Sequence, residues 1–206
     1  DSQFAKDYYR VSAATSKVVQ CLVIHEKYND AMRMIEKWIL WTGRRPPFAA
    51  FARTLQALCN KGRDKDVLQL VATSLRPPAS PTEAGWYELS LFVSAISRLS
   101  EEGMYAAADE VFLSAVTRGS LPLDLDSTVS DGKSCMLVDL HGMNLAVARS
   151  AVRIALHKHM IEIMKGARDA NSDVIIVTGR GLGSALRMRP VLRPEVQRML
   201  LEEFCK

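Results

Sequence analysis

The chain has 206 residues, 48% of them hydrophobic and 24% charged, an ordinary composition for a globular protein of one or two domains. No apolar run approaches the roughly 18 residues of a membrane-spanning helix, so the sequence predicts no membrane span. The four cysteines lie far apart, which argues against a zinc knuckle or a redox motif. The first residue is Asp1 rather than Met, so we expect a processed or partial chain.

The net charge of +4 comes entirely from the last third of the chain. Residues 1–130 carry 15 Lys+Arg and 15 Asp+Glu, whereas residues 131–206 carry 12 and 8. Five arginines of the second range cluster around a glycine-rich turn, namely Arg180, Arg187, Arg189, Arg193 and Arg198. Such a cluster suits the phosphates of a nucleic acid. The alternative is a solvated basic helix surface.

Three segments before residue 123 repeat one pattern, an apolar helix followed by a small polar break and a second, amphipathic helix. They cover residues 15–35, 51–71 and 92–112. Leu22, Leu58 and Leu99 correspond at intervals of 36 and 41 residues, and the same two intervals separate Ala31, Val67 and Ala108. Helix pairs of this kind bury their apolar faces against their neighbours, so the pattern predicts a short α-solenoid.

Three tryptophans, Trp38, Trp41 and Trp86, belong to this helical segment. One interpretation is that their rings stack on nucleic-acid bases. The interpretation that their size favours is that all three fill the core between repeats.

The helix pairs resemble the pentatricopeptide repeat. The resemblance rests on an aromatic residue near the start of the first helix (Phe51, Phe92), on Leu58-Cys59 at its end, on glycine at the break and on alanine in the second helix. It implies that single-stranded RNA lies along the concave face and is read by side chains of the first helices. The positions that match the base-reading site are Lys17, Arg53 and Ser94.

A β-α-β pattern follows the helical segment. Residues 124–134, rich in Asp, Ser and Gly, are predicted to be a linker. Two apolar runs, residues 136–140 and 174–177, are separated by a helical pattern that Asn144 can cap. The order predicts neighbouring parallel strands joined by a crossover helix, so both strands end at one edge of the sheet, where α/β proteins bind ligands. The second run lacks alternation, which is typical of a strand covered on both faces.

Polar residues suited to phosphodiester chemistry lie at the end of each strand. Asp139 and His141 are predicted to lie two residues apart on the first strand and to face the same side. Asp139 could hold a divalent metal such as Mg²⁺ or orient a water, and His141 could act as a general acid or base. The second strand leads into a turn whose amides and guanidinium suit a phosphate: Thr178, Gly179, Arg180 and Gly181. The alternatives are structural: Asp139 caps a turn, His141 is a core imidazole, and the glycines form a plain turn.

The strand end Val138-Asp139-Leu140-His141-Gly142, the helix and the Thr-Gly-Arg-Gly turn together resemble the Smr domain over residues 135–206. The resemblance implies a compact α/β sandwich that binds nucleic acid and, in some members, nicks DNA or cleaves RNA. It assigns Asp139 and His141 to the family's Leu-Asp-x-His motif, with Val138 in the place of Leu. The family's last strand has no counterpart after the final helix, so we expect a truncated chain.

Helical repeats followed by this module resemble the pentatricopeptide-repeat–Smr proteins of organelles, which implies an organellar location, in plastids rather than mitochondria. The predicted architecture is an α-solenoid (1–123), a linker (124–134) and a Smr-like α/β domain (135–206). The predicted function is RNA binding in organellar gene expression. Endonuclease activity through Asp139 and His141 is the next candidate, and a module that binds RNA without cleaving it is the alternative. Single-stranded RNA is the expected partner and DNA the second candidate.

The residues predicted to bind nucleic acid are Thr178, Gly179, Arg180, Gly181, Arg187, Arg189, Lys17, Arg53 and Ser94. The competing hypothesis is a non-catalytic structural subunit of a large organellar complex, bound through protein–protein contacts. The electrically neutral repeat segment suits that hypothesis, because its surfaces would then face protein rather than phosphate.

Overall fold

The fold is taken from a computed structural model of the chain. It describes residues 2–76, 84–123, 125–130, 133–169, 171–178 and 191–204. The chain divides into two compact units, Asp1–Val111 and Phe112–Lys206. None of the helices in these ranges is both long enough and apolar enough to cross a membrane.

The first unit is built from helices. They are α1 (Ser2–Ile24), α2 (Tyr28–Thr42), α3 (Phe48–Asn60), α4 (Asp64–Ser74), α5 (Ala84–Glu101) and α6 (Tyr105–Thr117), the last of which continues into the second unit. Helix α1 packs against α2 and α3, and α3 also packs against α4 and α5. The first helices of the three pairs therefore stack in series, which confirms the predicted helical solenoid.

The turn inside each helix pair has the same hydrogen bond in all three pairs. A backbone N–H just after the break donates to the carbonyl of the leucine that the sequence pattern aligns. The N···O distances are 2.8, 3.0 and 2.8 Å for Lys27–Leu22, Arg63–Leu58 and Met104–Leu99. This bond closes the end of the first helix in the manner of a Schellman motif. The intervals of 36 and 41 residues therefore have a structural counterpart at every break.

The core of the first unit follows the same register. Ala31, Val67 and Ala108, which occupy equivalent positions in the second helices, are each completely buried. Phe51 and Phe92, aligned in the first helices, are also completely buried. Burial against the neighbouring pair accounts for most of the stability of such stacks.

The three tryptophans do not behave alike. Trp38 is buried, and its Nε1 donates to the carbonyl of Arg45 at 2.9 Å. Trp41 and Trp86 are 76% and 60% exposed, so the prediction that all three fill the core is wrong for these two. Each of the two lies in a terminal turn of its helix, where the neighbouring helices leave the ring uncovered.

The second unit contains a three-stranded sheet with helices. Its elements are β1 (Leu125–Ser130), β2 (Lys133–Asp139), α7 (Leu145–Met164), β3 (Val174–Val177) and α8 (Leu192–Met199), after which a π-helical turn covers Leu200–Phe204. The order of the strands is β1-β2-β3, with β1 antiparallel and β3 parallel to β2. The predicted parallel pair with its crossover helix is confirmed, and the fold class is α-solenoid with α/β.

Strand β1 corrects the prediction that residues 124–134 form a linker. Leu125 pairs with Val138 and Ser130 pairs with Lys133, so β1 and β2 make a hairpin. The polar composition concealed the strand, because an edge strand of an antiparallel pair does not need two apolar faces. The Asp-Gly dipeptide at residues 131–132, typical of two-residue hairpin connections, was the available signal.

Helix α7 begins and covers the sheet as its sequence predicts. The side chain of Asn144 accepts a hydrogen bond from the N–H of Val147 at 2.9 Å, which confirms the predicted cap. The helix packs on β2 and β3. Met136 and Val138 are buried, but Ile175 on β3 is 39% exposed. The prediction that β3 is covered on both faces is therefore wrong, since α7 and α8 leave one face of this strand partly open.

Candidate nucleic-acid interface

The register of β2 and β3 brings their polar ends to one edge of the sheet. Asp139 pairs with Val177, and the N–H of Leu140 donates to the carbonyl of Val177 at 2.9 Å. Thr178, the first residue of the predicted phosphate turn, therefore follows the strand beside Asp139. In parallel sheets this edge is the usual place for a ligand.

Asp139 and His141 contact each other directly. The Nδ1 of His141 lies 2.5 Å from Oδ1 of Asp139, and the backbone N–H of His141 donates to the same oxygen at 2.9 Å. We expected both residues on the strand, but β2 ends at Asp139 and the turn that follows brings the imidazole back to the carboxylate. Asp139 thus caps the turn, as its structural alternative predicted, whereas His141 is exposed and is not a core imidazole.

The hydrogen bonds from His141 favour the ionised form of Asp139. The backbone N–H and then the imidazole of His141 hold the pKa of Asp139 below its ordinary value of 3.8. The carboxylate is therefore ionised at neutral pH and accepts a hydrogen bond from the N–H at Nδ1 of His141. The Nε2 atom of His141 remains as the group that can exchange a proton with a substrate. Both side chains are about half exposed, so a large substrate can reach them.

The described residues around Asp139 supply few metal ligands. Within those ranges there is no group of three or more His, Cys, Asp or Glu that could hold a metal ion. One oxygen of Asp139 is already engaged by His141. Mg²⁺ commonly binds through one or two carboxylates together with substrate phosphates. Asp139 is the residue of this site that could supply such a carboxylate.

The predicted basic cluster is only partly free to bind phosphate. Arg198 is exposed, but its guanidinium contacts Glu195 at 2.7 Å and Glu202 at 2.7 Å, and these hydrogen bonds raise its pKa. Its charge is balanced locally, so the prediction that Arg198 meets phosphate is not supported by its surroundings. Arg193, one turn earlier in α8, lines an open groove beside Thr178.

Five of the predicted nucleic-acid-binding residues lie outside the described residues, namely Gly179, Arg180, Gly181, Arg187 and Arg189. Their roles stay predictions. Lys17 and Arg53 are exposed on α1 and α3, and Ser94 is half-buried on α5. These three helices stack in series, so the three predicted base-reading positions occur on successive members of one stack.

Sequence reasoning missed the groove beside β3. Its lining comes from two elements and comprises Val174, Ile176, Thr178, Arg193, Val196, Gln197 and Leu200. The β3 residues are spaced by two and the α8 residues by three or four, as expected for one face of a strand and one face of a helix. That double periodicity was visible in the sequence, but it did not indicate that the two faces meet.

Comparison with known proteins supports a nucleic-acid interface in the second unit. Residues 138–204 match the family model of the Smr domain, and the match does not extend to the helical repeats. No curated protein and no solved structure shows significant similarity to the chain. The matched range contains Asp139, His141 and the groove. The chain therefore contains a Smr domain at residues 138–204, a domain associated in general with the binding or nicking of nucleic acids.

Proposed function

We propose that this protein binds single-stranded RNA at the sheet edge formed by Asp139, His141 and Thr178, as a factor of organellar gene expression. The observation that carries the proposal is the Asp139–His141 pair, accessible at the end of β2 within the matched Smr domain. The turn residues after Thr178, including Arg180, would contact the phosphates, as would Arg187 and Arg189.

The helical unit would provide a second RNA-binding surface. Its three aligned turns support assignment to the pentatricopeptide repeat as part of this proposal. The exposed cations Lys17 and Arg53 would contact the RNA backbone, and Ser94 a base. We also propose an organellar location, with plastids favoured over mitochondria, because helical repeats followed by a Smr domain resemble the organellar pentatricopeptide-repeat–Smr proteins. Fractionation of the cells that express the protein tests this part, and recovery outside plastids and mitochondria would contradict it.

The geometry also suits hydrolysis of the phosphodiester bond. His141 Nε2 would accept a proton from an attacking water, while Asp139 orients the ring through Nδ1 and stabilises the imidazolium that forms. The water oxygen bonds to phosphorus, the bond from phosphorus to the leaving oxygen breaks, and that oxygen takes up a proton from His141. Arg180 and the turn amides would stabilise the negative charge that develops on the phosphate.

The test is a time course of labelled single-stranded RNA with the whole chain, with and without Mg²⁺. Asp139→Ala and His141→Ala should each slow cleavage by roughly 10²–10⁴-fold while RNA is still bound. His157→Ala, a change of an exposed histidine on α7, is the matched control and should leave the rate unchanged. Cleavage that persists in both variants would overturn the catalytic assignment, and RNA retained without cleavage would leave a binding module.

A structural subunit of a large organellar complex is the second candidate function. Trp41 and Trp86 favour it, because exposed tryptophans are enriched at the centres of protein interfaces. Co-migration with a large complex after nuclease treatment would support this candidate. A free monomer that binds RNA would contradict it.

A further inference from the structure

We infer that the groove between β3 and α8 holds one nucleobase of the RNA strand, an inference that rests on the proposed RNA binding at this edge. The groove has a volume of about 460 Å³ and opens beside Thr178. Small-molecule sites generally occupy roughly 300–1,000 Å³. A single nucleotide falls within that range, whereas a folded domain or a duplex does not fit such a space.

The walls of the groove suit the two faces of a base. Val174 and Ile176 of β3 form one side and are only partly covered by the protein. Val196 and Leu200 add apolar lining from α8 and the turn after it. A base buries apolar ring faces when it leaves a stack and enters such a cleft, and this burial favours binding.

The groove is also lined by three polar groups that have no partner among the described residues. Among the residues that the structure describes, no hydrogen bond or ion pair engages the hydroxyl of Thr178, the guanidinium of Arg193 or the amide of Gln197. Arg198, in contrast, is held by Glu195 and Glu202. The groove therefore lies beside Arg193, whose guanidinium is available to a ligand, and not beside Arg198, whose charge is neutralised.

Each of these polar groups matches a part of a nucleotide. The amide of Gln197 offers both donors and an acceptor, which allows it to read the polar edge of a base. The guanidinium of Arg193 can bind the adjoining phosphate through two hydrogen bonds. This combination of one amide, one hydroxyl and one cation above an apolar floor favours a nucleotide over an apolar peptide side chain.

The location of the groove connects it with the Asp139–His141 pair. Thr178 follows Val177 directly, and Val177 is the register partner of Asp139. The Thr178 end of the groove therefore lies at the same sheet edge as Asp139, and an RNA strand with its phosphate at Asp139 and His141 would reach the groove from this end. The base in the groove would determine which phosphodiester bond is presented, so Gln197 acts as a specificity residue and Arg193 as a positioning residue.

The experiment compares the affinity of the whole chain for short single-stranded RNAs of A, C or U, and for the same strands with one base removed at successive positions. Gln197→Ala should weaken binding of the preferred strand by roughly threefold to tenfold, the effect of one hydrogen bond. It should have no effect on the strand that lacks the recognised base. Arg193→Ala should weaken all strands and reduce the slope of log affinity against log salt by about one.

Two exposed helical residues of the first unit provide matched controls, since Gln69→Ala on α4 and Arg33→Ala on α2 should leave every affinity unchanged. Suppose that the wild-type chain binds RNA, and that Gln197→Ala weakens the binding of intact and base-deleted strands equally or weakens neither. The base site is then wrong, and the proposed function stands. If wild-type chain binds none of the RNAs, the proposed function and this inference fail together. A loss confined to intact RNA in Gln197→Ala supports the base site.

Discussion

One carboxylate oxygen of Asp139 accepts two hydrogen bonds from His141, one from the backbone N–H at 2.9 Å and one at Nδ1 at 2.5 Å. The pair is therefore assembled within three consecutive residues and does not depend on a distant element for its geometry. The carboxylate both ends the strand and orients the imidazole, so a substitution at Asp139 affects the turn and the tautomer of the ring.

The rate of the proposed cleavage, at every pH between 5 and 9, should distinguish Asp139 from its amide. The pKa of Asp139 is lowered, so the group stabilises the fold above its ordinary value of 3.8 and loses that contribution as pH falls through the lower folded value. Between pH 5 and 9 it stays ionised and adds no step to the rate profile. In Asp139→Asn the amide can donate to Nδ1 and favour the wrong tautomer, so kcat should fall by roughly 10²–10⁴-fold across this range. A rate profile of Asp139→Asn that equals that of wild type would show that Asp139 is only a turn cap.

Each helix-pair turn contains one residue in the left-handed backbone region, and substitutions at two of these residues should change stability in opposite directions. Glu26 has φ of 57°, where its counterparts Gly62 and Gly103 have 66° and 74°. A side chain is strained in this region, so Glu26→Gly should raise Tm by roughly 2–4 °C. Gly103→Ala should lower the free energy of unfolding by about 1 kcal/mol because of backbone strain at positive φ. Steric contact adds nothing to this loss, since a Cβ at this position meets no atom within 4 Å. Thermal unfolding measures both, and a lower Tm for Glu26→Gly would indicate that its contact with Lys61 outweighs the strain.

The buried ion pair between Arg45 and Glu88 should contribute far more than an exposed one. Their side chains are 3% and 12% exposed at a distance of 2.7 Å, and the pair joins the connection before α3 to α5. Glu88→Ala leaves a buried guanidinium without its carboxylate and should cost about 3–5 kcal/mol in urea unfolding. The double variant Arg45→Met/Glu88→Leu should recover most of this loss, since it removes both charges.

The exposed pair of Lys61 and Glu26 is the control for this prediction. Their side chains are 48% and 67% exposed, and an exposed pair contributes little to stability because solvent screens it. Lys61→Ala should therefore leave the midpoint of urea unfolding close to that of wild type. Equal effects of Glu88→Ala and Lys61→Ala would contradict the importance of burial.

The thiols should differ sharply in reactivity. Burial raises the pKa of Cys59 to about 12, and Cys135 is also buried, whereas Cys21 is exposed. At pH 8 only a minute fraction of Cys59 is in the thiolate form, so this cysteine should react with a disulfide reagent only when the first unit unfolds. In a chain that carries Cys205→Ser we expect one fast-reacting thiol, that of Cys21. The fast reaction should disappear when Cys21→Ser is added. A second fast thiol under native conditions would contradict the packing around Cys59 or Cys135.

The repeat register was predictable because its signals are local. A helix pair needs an apolar stripe, a break and a residue that tolerates positive φ, and all three recur at fixed intervals around Leu22, Leu58 and Leu99. The cap at Asn144 is equally local, as is the strand at Val174–Val177. Each depends on residues within about one helical turn, so the sequence carries the information directly.

The predictions that failed depend on packing and side-chain pairing that composition and local pattern do not reveal. Strand β1 is polar and exists because β2 offers a partner edge, which composition does not reveal. The exposure of Trp41 and Trp86 depends on where neighbouring helices end. The neutralisation of Arg198 depends on Glu195 and Glu202, which are near in sequence, yet counting charges could not show which rotamers pair.

The sequence by itself determined the helical repeats, the β-α-β order and the two motifs at the strand ends, because helix periodicity, capping and strand length are properties of short segments. Only the tertiary structure decided that Val177, and with it Thr178, lies beside Asp139, and that Thr178, Arg193 and Gln197 border the same groove. These relationships arise from strand register and from the packing of a helix against a sheet, and both bring together residues whose separation in sequence carries no record of their proximity.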